Sequence, residues 1–225
     1  MRQMILNLLP EAEPSLNNFV VGGNSEALTG LAAWLAPDNR EPALFLWGDA
    51  GAGKTHLLRA SAASIASYRD AQIDPDLASL KNTPDDLPLL CAVDNVEALS
   101  ELGQIALFNL FNRLRATGGR LLVAAKVPPR QLMLREDLRT RLGSGLIYRL
   151  HTLTDDEKIN ALSAQAAARG LHMPPEALTY LLARAPRDMR SLAAFIAALD
   201  LYSLEHKRPI TLPLLRELLH AQPTV

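Results

Sequence analysis

Hydrophobic and polar positions follow two regimes along this chain. Up to about residue 150, short unbroken apolar runs alternate with longer stretches of helical spacing; after it only helical spacing remains. Ala43-Leu44-Phe45-Leu46-Trp47, Leu89-Leu90-Cys91-Ala92-Val93, Arg120-Leu121-Leu122-Val123-Ala124-Ala125 and Leu146-Ile147-Tyr148-Arg149-Leu150 carry almost no polar face. They predict strands, those over 43–47 and 120–125 buried ones. A weaker stretch, Ala71-Gln72-Ile73, predicts one more. Between them the pattern predicts helices from Ser25 to Leu35, from Thr55 to about Ser67, from Asp76 to Lys81, from Glu101 to Thr117 and from Glu136 to Leu142. The Glu101 helix shows Leu102, Ile105, Ala106, Phe108, Asn109 and Phe111 as its helix-spaced apolar face, and Gly118-Gly119 ends it. Strands alternating with helices indicate an α/β domain with a parallel sheet.

After Leu150 the strands cease. Thr154-Asp155-Asp156-Glu157 is a capping box that starts a helix to Arg169. Further helices run from Pro175 to near Ala185, from Arg187-Asp188-Met189-Arg190 to about Glu205, and from Leu212 to His220. The expected organisation is an exposed arm over 1–18, where Pro10 and Pro14 interrupt any helix, an α/β domain over 19–150 and a helical domain over 151–225.

The first strand leads directly into Gly48-Asp49-Ala50-Gly51-Ala52-Gly53-Lys54-Thr55, which satisfies the phosphate-loop pattern G-x-x-x-x-G-K-[ST] at every fixed position. Gly48, Gly51 and Gly53 let the backbone curl so that its N–H groups face phosphate oxygens. The following helix turns its positive end toward the same anion. Lys54 then reaches the β- and γ-phosphates, the Thr55 hydroxyl ligates Mg²⁺, and His56 is counted with the nucleotide-facing residues of the loop. The run ending in Asp94 supplies a carboxylate that holds Mg²⁺ through water. ADP or ATP with Mg²⁺ is the expected ligand set. No acid or second histidine suggests a metal site at His56 or His151, and both read as structural.

Composition narrows the setting. The formal net charge is −1, which gives no electrostatic case for the whole surface gripping DNA. The single cysteine, Cys91, lies inside an apolar run and reads as a buried small hydrophobe. No apolar run approaches the ~18 residues of a membrane span. The apolar N-terminus is short, is broken by Gln3 and Asn7 and is followed by Glu11 and Glu13, so it does not read as a signal peptide. A cytoplasmic protein is expected. Within that N-terminus Gln3, Leu6 and Leu8 form a Q-x-x-L-x-L pattern. In an extended peptide Leu6 and Leu8 point the same way and can enter one apolar pocket, of a partner or of the protein itself.

Together these stretches resemble the AAA+ ATPases, and within them the replication-initiator branch; the resemblance covers the chain after residue 18. It implies an AAA+ phosphate-loop domain followed by a helical lid. Phe19-Val20-Val21-Gly22 resembles the segment that lines the adenine pocket, so Val20 and Val21 are implied there. Pro128-Pro129-Arg130-Gln131-Leu132 resembles the run after the sensor-one strand. Thr140-Arg141-Leu142-Gly143-Ser144-Gly145-Leu146 resembles the box carrying the arginine finger, which maps to Arg141. Met189-Arg190-Ser191-Leu192 resembles the sensor-two motif, which maps to Arg190.

No helix-turn-helix segment follows the lid helices in this sequence, and the stretch between Thr55 and Leu89 is short. Both features make the chain similar to the regulatory inactivators of the initiator DnaA rather than to the initiators. Those proteins carry an N-terminal peptide that binds the polymerase III sliding clamp (the β clamp), and Gln3, Leu6 and Leu8 have its form. The implied partners are a DnaA-type initiator and that clamp, with DNA met through the clamp. Two positions depart from the AAA+ pattern. Asn95 stands where many members have a catalytic glutamate, and an amide cannot accept the proton of an attacking water. Glu97 lies two residues on. Lys126 occupies the sensor-one region in place of a small polar or acidic residue. Weak intrinsic ATPase activity is the expectation. Three functions remain open at this point: an activator of a partner's ATP hydrolysis, a self-sufficient ATPase of the helicase-loader kind, and a nucleotide-gated clamp adaptor without catalysis. Self-association is open as well.

Overall fold

The computed structural model describes residues 13–62, 66–78, 90–186, 188–206 and 210–220. The chain forms two compact units, Glu13–Thr152 and the residues from Leu153 onward.

The first unit is built on five parallel strands: β1 (Ala43–Trp47), β2 (Ala66–Asp70), β3 (Leu90–Asp94), β4 (Arg120–Ala125) and β5 (Leu146–Arg149). Their spatial order is β2-β3-β4-β1-β5, all pairs parallel. Strand side chains alternate between two cores, as the pleat requires. Phe45, Cys91, Val93, Leu121 and Val123 join one face with Leu107, Leu110, Phe111 and Leu114 of α3 (Glu101–Thr117) and Leu138 and Leu142 of α4 (Glu136–Leu142). Leu44, Leu46, Leu90, Ala92, Leu122 and Ala124 join the other with Leu31 and Trp34 of α1 (Ser25–Leu35) and Leu57 and Leu58 of α2 (Lys54–Ala62). Cys91 is buried as expected, and burial pushes its thiol pKa up.

Arg120, at the start of β4, donates to the carbonyls of Trp34, Leu35 and Ala36. It satisfies the otherwise unpaired C-terminal carbonyls of α1.

Four expectations are corrected. The helix after the phosphate loop is described only to Ala62, and Ser67 belongs to β2. Ala71-Gln72-Ile73 is not a strand but a turn: the N–H groups of Ile73 and Asp74 both donate to the Asp70 carbonyl, leaving Ile73 exposed. The buried face of α3 is rotated from the expected one. Leu102 and Ile105 are 57% and 40% exposed, while Gly103, Gln104, Leu107, Leu110 and Leu114 face inward. Gly103 sets this rotation, since a Cβ there would stand 1.9 Å from the Pro75 carbonyl oxygen. Residues 13–18 are not a free arm: Ser15 caps a short 3-10 helix, Leu16–Asn18, and Leu16 packs against the core that holds α2. The predicted helix over 76–81 falls mostly outside the described residues, and the arm with Gln3, Leu6 and Leu8 lies wholly outside them.

The second unit is helical: α5 (Asp155–Ala168), α6 (Pro175–Arg184), α7 (Met189–His206) and α8 (Leu212–His220). The Thr154–Glu157 capping box opens α5 with both of its reciprocal bonds in place. Leu162, Leu178, Leu181, Leu192, Phe195, Ile196, Leu199 and Leu215 make its core.

Candidate functional site

The phosphate loop leaves the C-terminal end of β1, which lies between β4 and the edge strand β5, at the end of the sheet where ligands of open α/β sheets bind. Its glycines are required by geometry. Gly51 and Gly53 have φ of 80° and 93°, values that side chains disfavour. A Cβ on Gly48 would stand 2.1 Å from the Leu150 carbonyl oxygen, and one on Gly53 would stand 2.6 Å from the Phe19 ring. The Gly48 N–H donates to the Ala125 carbonyl at 3.3 Å, which ties the loop to the end of β4.

Lys54 is 7% exposed. Its ammonium donates to the carbonyls of Gly48 (2.7 Å) and Asp49 (2.8 Å), so the loop closes around its own cation. Burial pushes its pKa below the usual lysine range, opposed by the charges of Asp94, Glu97 and Asp49. Thr55, one residue on, donates its hydroxyl to Asp94 Oδ2 at 2.5 Å. This joins the first turn of α2 to the end of β3. A hydroxyl that gives its proton to Asp94 keeps its lone pairs for a cation.

Asp94 is fully buried, and three groups hold it. Oδ2 accepts from Thr55 and from the Tyr68 hydroxyl at 3.2 Å; Oδ1 accepts from the Asn95 N–H at 2.9 Å. Tyr68 belongs to the missed strand β2. Its pKa is pushed up to about 12 by burial and by the Asp94 charge, and the Arg59 guanidinium lies 4.9 Å over its ring. The sequence carried a faint signal for Tyr68, an aromatic flanked by polar residues between two apolar runs, too weak to separate an edge strand from a loop.

Asn95 adopts the left-handed conformation (φ 55°) and donates its amide to Asp70 Oδ1 at 2.9 Å. The short 3-10 helix Val96–Ala98 follows. There Glu97 faces the Lys126 ammonium at 3.8 Å. His56 bonds the Ser15 carbonyl at 2.9 Å and rests against the Phe19 ring. It thus braces the segment 13–19 against α2, and no group of metal-binding residues stands with it among the described residues. Val20 and Val21 follow Phe19 and are half-buried. Asn24 fixes the end of this unit by exchanging two hydrogen bonds with the His151 backbone, at 3.0 and 2.7 Å.

Arg141 lies near the end of α4, away from the loop in sequence. Its guanidinium sits 5.9 Å from the ring centroids of both Phe108 and Phe111, on α3. Among the described residues no carboxylate pairs with it. Its neighbours Arg135 and Arg139 are each matched, to Asp137 and Glu136. Arg190 is the second residue of α7 in the helical unit. Structure thus brings Gly48 to Thr55, Asp94 and the Phe19 segment together in one unit, and places Arg190 in the other.

The residues present fit a magnesium nucleotide: a curled loop with no room for side chains at Gly48 and Gly53, a buried lysine, and a hydroxyl–carboxylate pair.

Known proteins agree with this geometry. Residues 155–219 match the family model described as the lid domain of Hda, and residues 11–74 match the bacterial DnaA ATPase domain. Domain III of the Thermotoga maritima replication initiation protein DnaA superposes with a TM-score of 0.74 at 22% identity, covering 95% of this chain and 98% of that one. The fold is that of an AAA+ protein, and the two family models, one toward each end of the chain, are similar to DnaA and Hda. Two further structures show how wide the fold extends. AMPPCP-bound DnaA from Aquifex aeolicus matches with a TM-score of 0.68 at 23% identity, over 87% of this chain and 69% of that one. The Thermotoga maritima RuvB branch-migration motor matches with 0.65 at 16% identity, over 96% and 73%. The parallel sheet and these likenesses give the architecture as an AAA+ domain with a helical lid. Among the described residues no helix is long and apolar enough to cross a membrane.

Proposed function

We propose that this chain regulates replication initiation by carrying Arg141 to the ATP site of a DnaA-type initiator, while holding an adenine nucleotide of its own. The observation that carries the reading is the state of Arg141. It lies half-buried on two aromatic rings, with no carboxylate partner among the described residues, beside arginines that have one. Stacking holds the guanidinium in place yet leaves its hydrogen-bonding fork unmatched by any acid among the described residues. An arginine so placed is suited to an anion that arrives from outside.

The chain's own nucleotide is assigned to Gly48 through His56, with Val20 and Val21 against the adenine and Arg190 of the lid directed to the phosphates. The DnaA relatives crystallised with AMPPCP support an adenine nucleotide as the ligand. Thr55 and Asp94 would hold Mg²⁺, Asp94 through water. When bound, the ion neutralises phosphate charge. Lys54 and the loop amides orient the phosphates, and Asn95 leaves the position beside Asp94 without a proton acceptor.

Gln3, Leu6 and Leu8 are assigned to a sliding clamp, which would concentrate the chain near clamp-loaded DNA. Burying two leucines stabilises such a complex by roughly 1.5–3 kcal/mol each, less the cost of ordering the arm. The test is ATP hydrolysis measured for this protein alone, with the initiator, and with the initiator plus clamp-loaded DNA. The expected result is slow turnover alone and strong stimulation in the third case, lost when Gln3, Leu6 and Leu8 are all changed to Ala. Turnover of ~1 s⁻¹ by the isolated protein, within the ordinary enzyme range, would favour a self-sufficient ATPase instead.

A further inference from the structure

Asp94 and Glu97 stand three residues apart at the same end of the sheet and are treated in opposite ways. Asp94 accepts three hydrogen bonds. Both carboxylate oxygens of Glu97 are closed off from solvent and accept none, although 23% of its side chain stays exposed. The Lys126 ammonium, 3.8 Å away, is its counter-charge. Lys126 directly follows Ala125, whose carbonyl holds the Gly48 N–H, so the pair stands at the rim of the phosphate loop. Both charges are felt at the Lys54 ammonium, Glu97 favouring its charged form and Lys126 opposing it.

An enclosed carboxylate without donors costs free energy that an open one does not, and such a group calls for a reason beyond packing. Asn95 supplies the reason. The residue beside Asp94 is an amide committed to Asp70, and its left-handed backbone turns the chain so that the next acid to come within electrostatic reach of Lys54 is Glu97.

We propose that Glu97 is the proton-accepting carboxylate of this nucleotide site and that its ion pair with Lys126 holds it in check. The inference rests on the nucleotide-binding reading above. With the pair open, a water gives one proton to a Glu97 oxygen. The oxygen of that water bonds to the γ-phosphorus, and the bond from this phosphorus to the β–γ bridging oxygen breaks, leaving ADP and inorganic phosphate. With the pair closed, the Lys126 ammonium competes for the lone pair that would take the proton.

The test compares the full chain with Lys126→Met, Lys126→Arg, Glu97→Gln and the Lys126→Met/Glu97→Gln double variant. Three quantities are read: ADP and ATP binding by calorimetry, ATP turnover by the isolated protein, and thermal unfolding without nucleotide. Lys126→Met is expected to raise turnover about tenfold, the equivalent of 1.4 kcal/mol in the barrier. Lys126→Arg keeps it low. Glu97→Gln and the double variant turn over no faster than the parent. Without nucleotide, Lys126→Met lowers the melting temperature by stranding an enclosed charge, and adding Glu97→Gln restores it. Should Lys126→Met not fold, Lys126→Gln with the same double variant is read in its place. Unchanged or slower turnover on removing the lysine overturns the proposal, as does fast turnover by the double variant or purely additive melting shifts. A parent chain that binds neither ADP nor ATP would sink the nucleotide-binding reading itself; binding with silent Lys126 and Glu97 variants sinks this inference alone.

Discussion

The proposed function gives a phosphate to two cations, Lys54 in the phosphate loop and Arg141 at the end of α4, and they are built in opposite ways. Lys54 is buried, and two loop carbonyls hold it within 2.8 Å; around it Thr55, Tyr68 and the Asn95 N–H fasten Asp94. Arg141 rests on Phe108 and Phe111 and has no such polar collar among the described residues. A buried ammonium must be solvated by the protein or lose its charge, so the fold surrounds it. A guanidinium keeps its charge without help and stacks well on rings, so it can stay half-buried with donors to spare. One cation is enclosed by its own fold and the other rests on two rings at a helix end; under the proposed function the first serves a ligand held inside and the second one from outside.

The comparison breaks first at Arg141. In the stimulated reaction, Arg141→Ala should lower the partner's hydrolysis by about 10³-fold or more, the scale of arginines supplied in trans. It should leave the chain's own nucleotide affinity unchanged. Arg141→Lys should recover little, since an ammonium lacks the planar fork. Full stimulation by Arg141→Ala on clamp-loaded DNA would remove the outward cation from the scheme.

Lys54→Ala tests the inward one. Hydrogen bonds to charged groups contribute roughly 1.5–3 kcal/mol each, and losing the contacts to two phosphates should weaken ADP and ATP binding by about a hundredfold. The carbonyls of Gly48 and Asp49 also lose their donor, so the nucleotide-free melting temperature should fall slightly. Calorimetry that finds the parent affinity intact would mean that the loop does not hold the phosphates.

Much of this contrast was legible in the sequence, and the illegible part has a physical cause. β1, β3 and β4 are buried on both faces, so their residues had to be apolar runs, and Asp94 announced itself by ending one. The phosphate loop was legible because its backbone demands glycine at fixed places. β2 lies at the sheet edge, with a partner on one side, and is largely polar. An edge strand whose tyrosine and aspartate serve β3 has no apolar run to betray it. The inward face of α3 was misread for a related reason: its rotation is set by a backbone contact at Gly103 and by Gln104, which bonds Leu99 and Arg135, rather than by the largest side chains. The aromatic seat of Arg141 was half visible, since Phe108 and Phe111 stood in the predicted face, but their pairing with an arginine some thirty positions on is a property of the α3–α4 packing alone.

Tyr68 gives the smallest effect and the finest test of how tightly the inward site is fastened. Tyr68→Phe keeps the ring under Arg59 and deletes one hydroxyl, so any change reports the bond to Asp94 Oδ2. Thr55 and the Asn95 N–H remain, so Asp94 should stay held and the fold should survive, with a loss of at most about 1.5–3 kcal/mol for one hydrogen bond to a charged group. The sharper reading is in alkali. In the native chain the Tyr68 pKa is pushed up to about 12, by burial first and by the Asp94 charge second, against 10.0 when unfolded. Between these values the unfolded chain has given up the proton and the folded chain has kept it, so stability falls as pH rises through that window and is fully present below it. Tyr68→Phe removes this contribution. Its loss of stability between pH 10 and 12 should be shallower than that of the parent, and the late-titrating tyrosinate absorbance should disappear. Identical alkaline profiles for the two proteins would mean that Asp94 is held by Thr55 and the backbone alone, and that β2 contributes a strand but no fastening to the site.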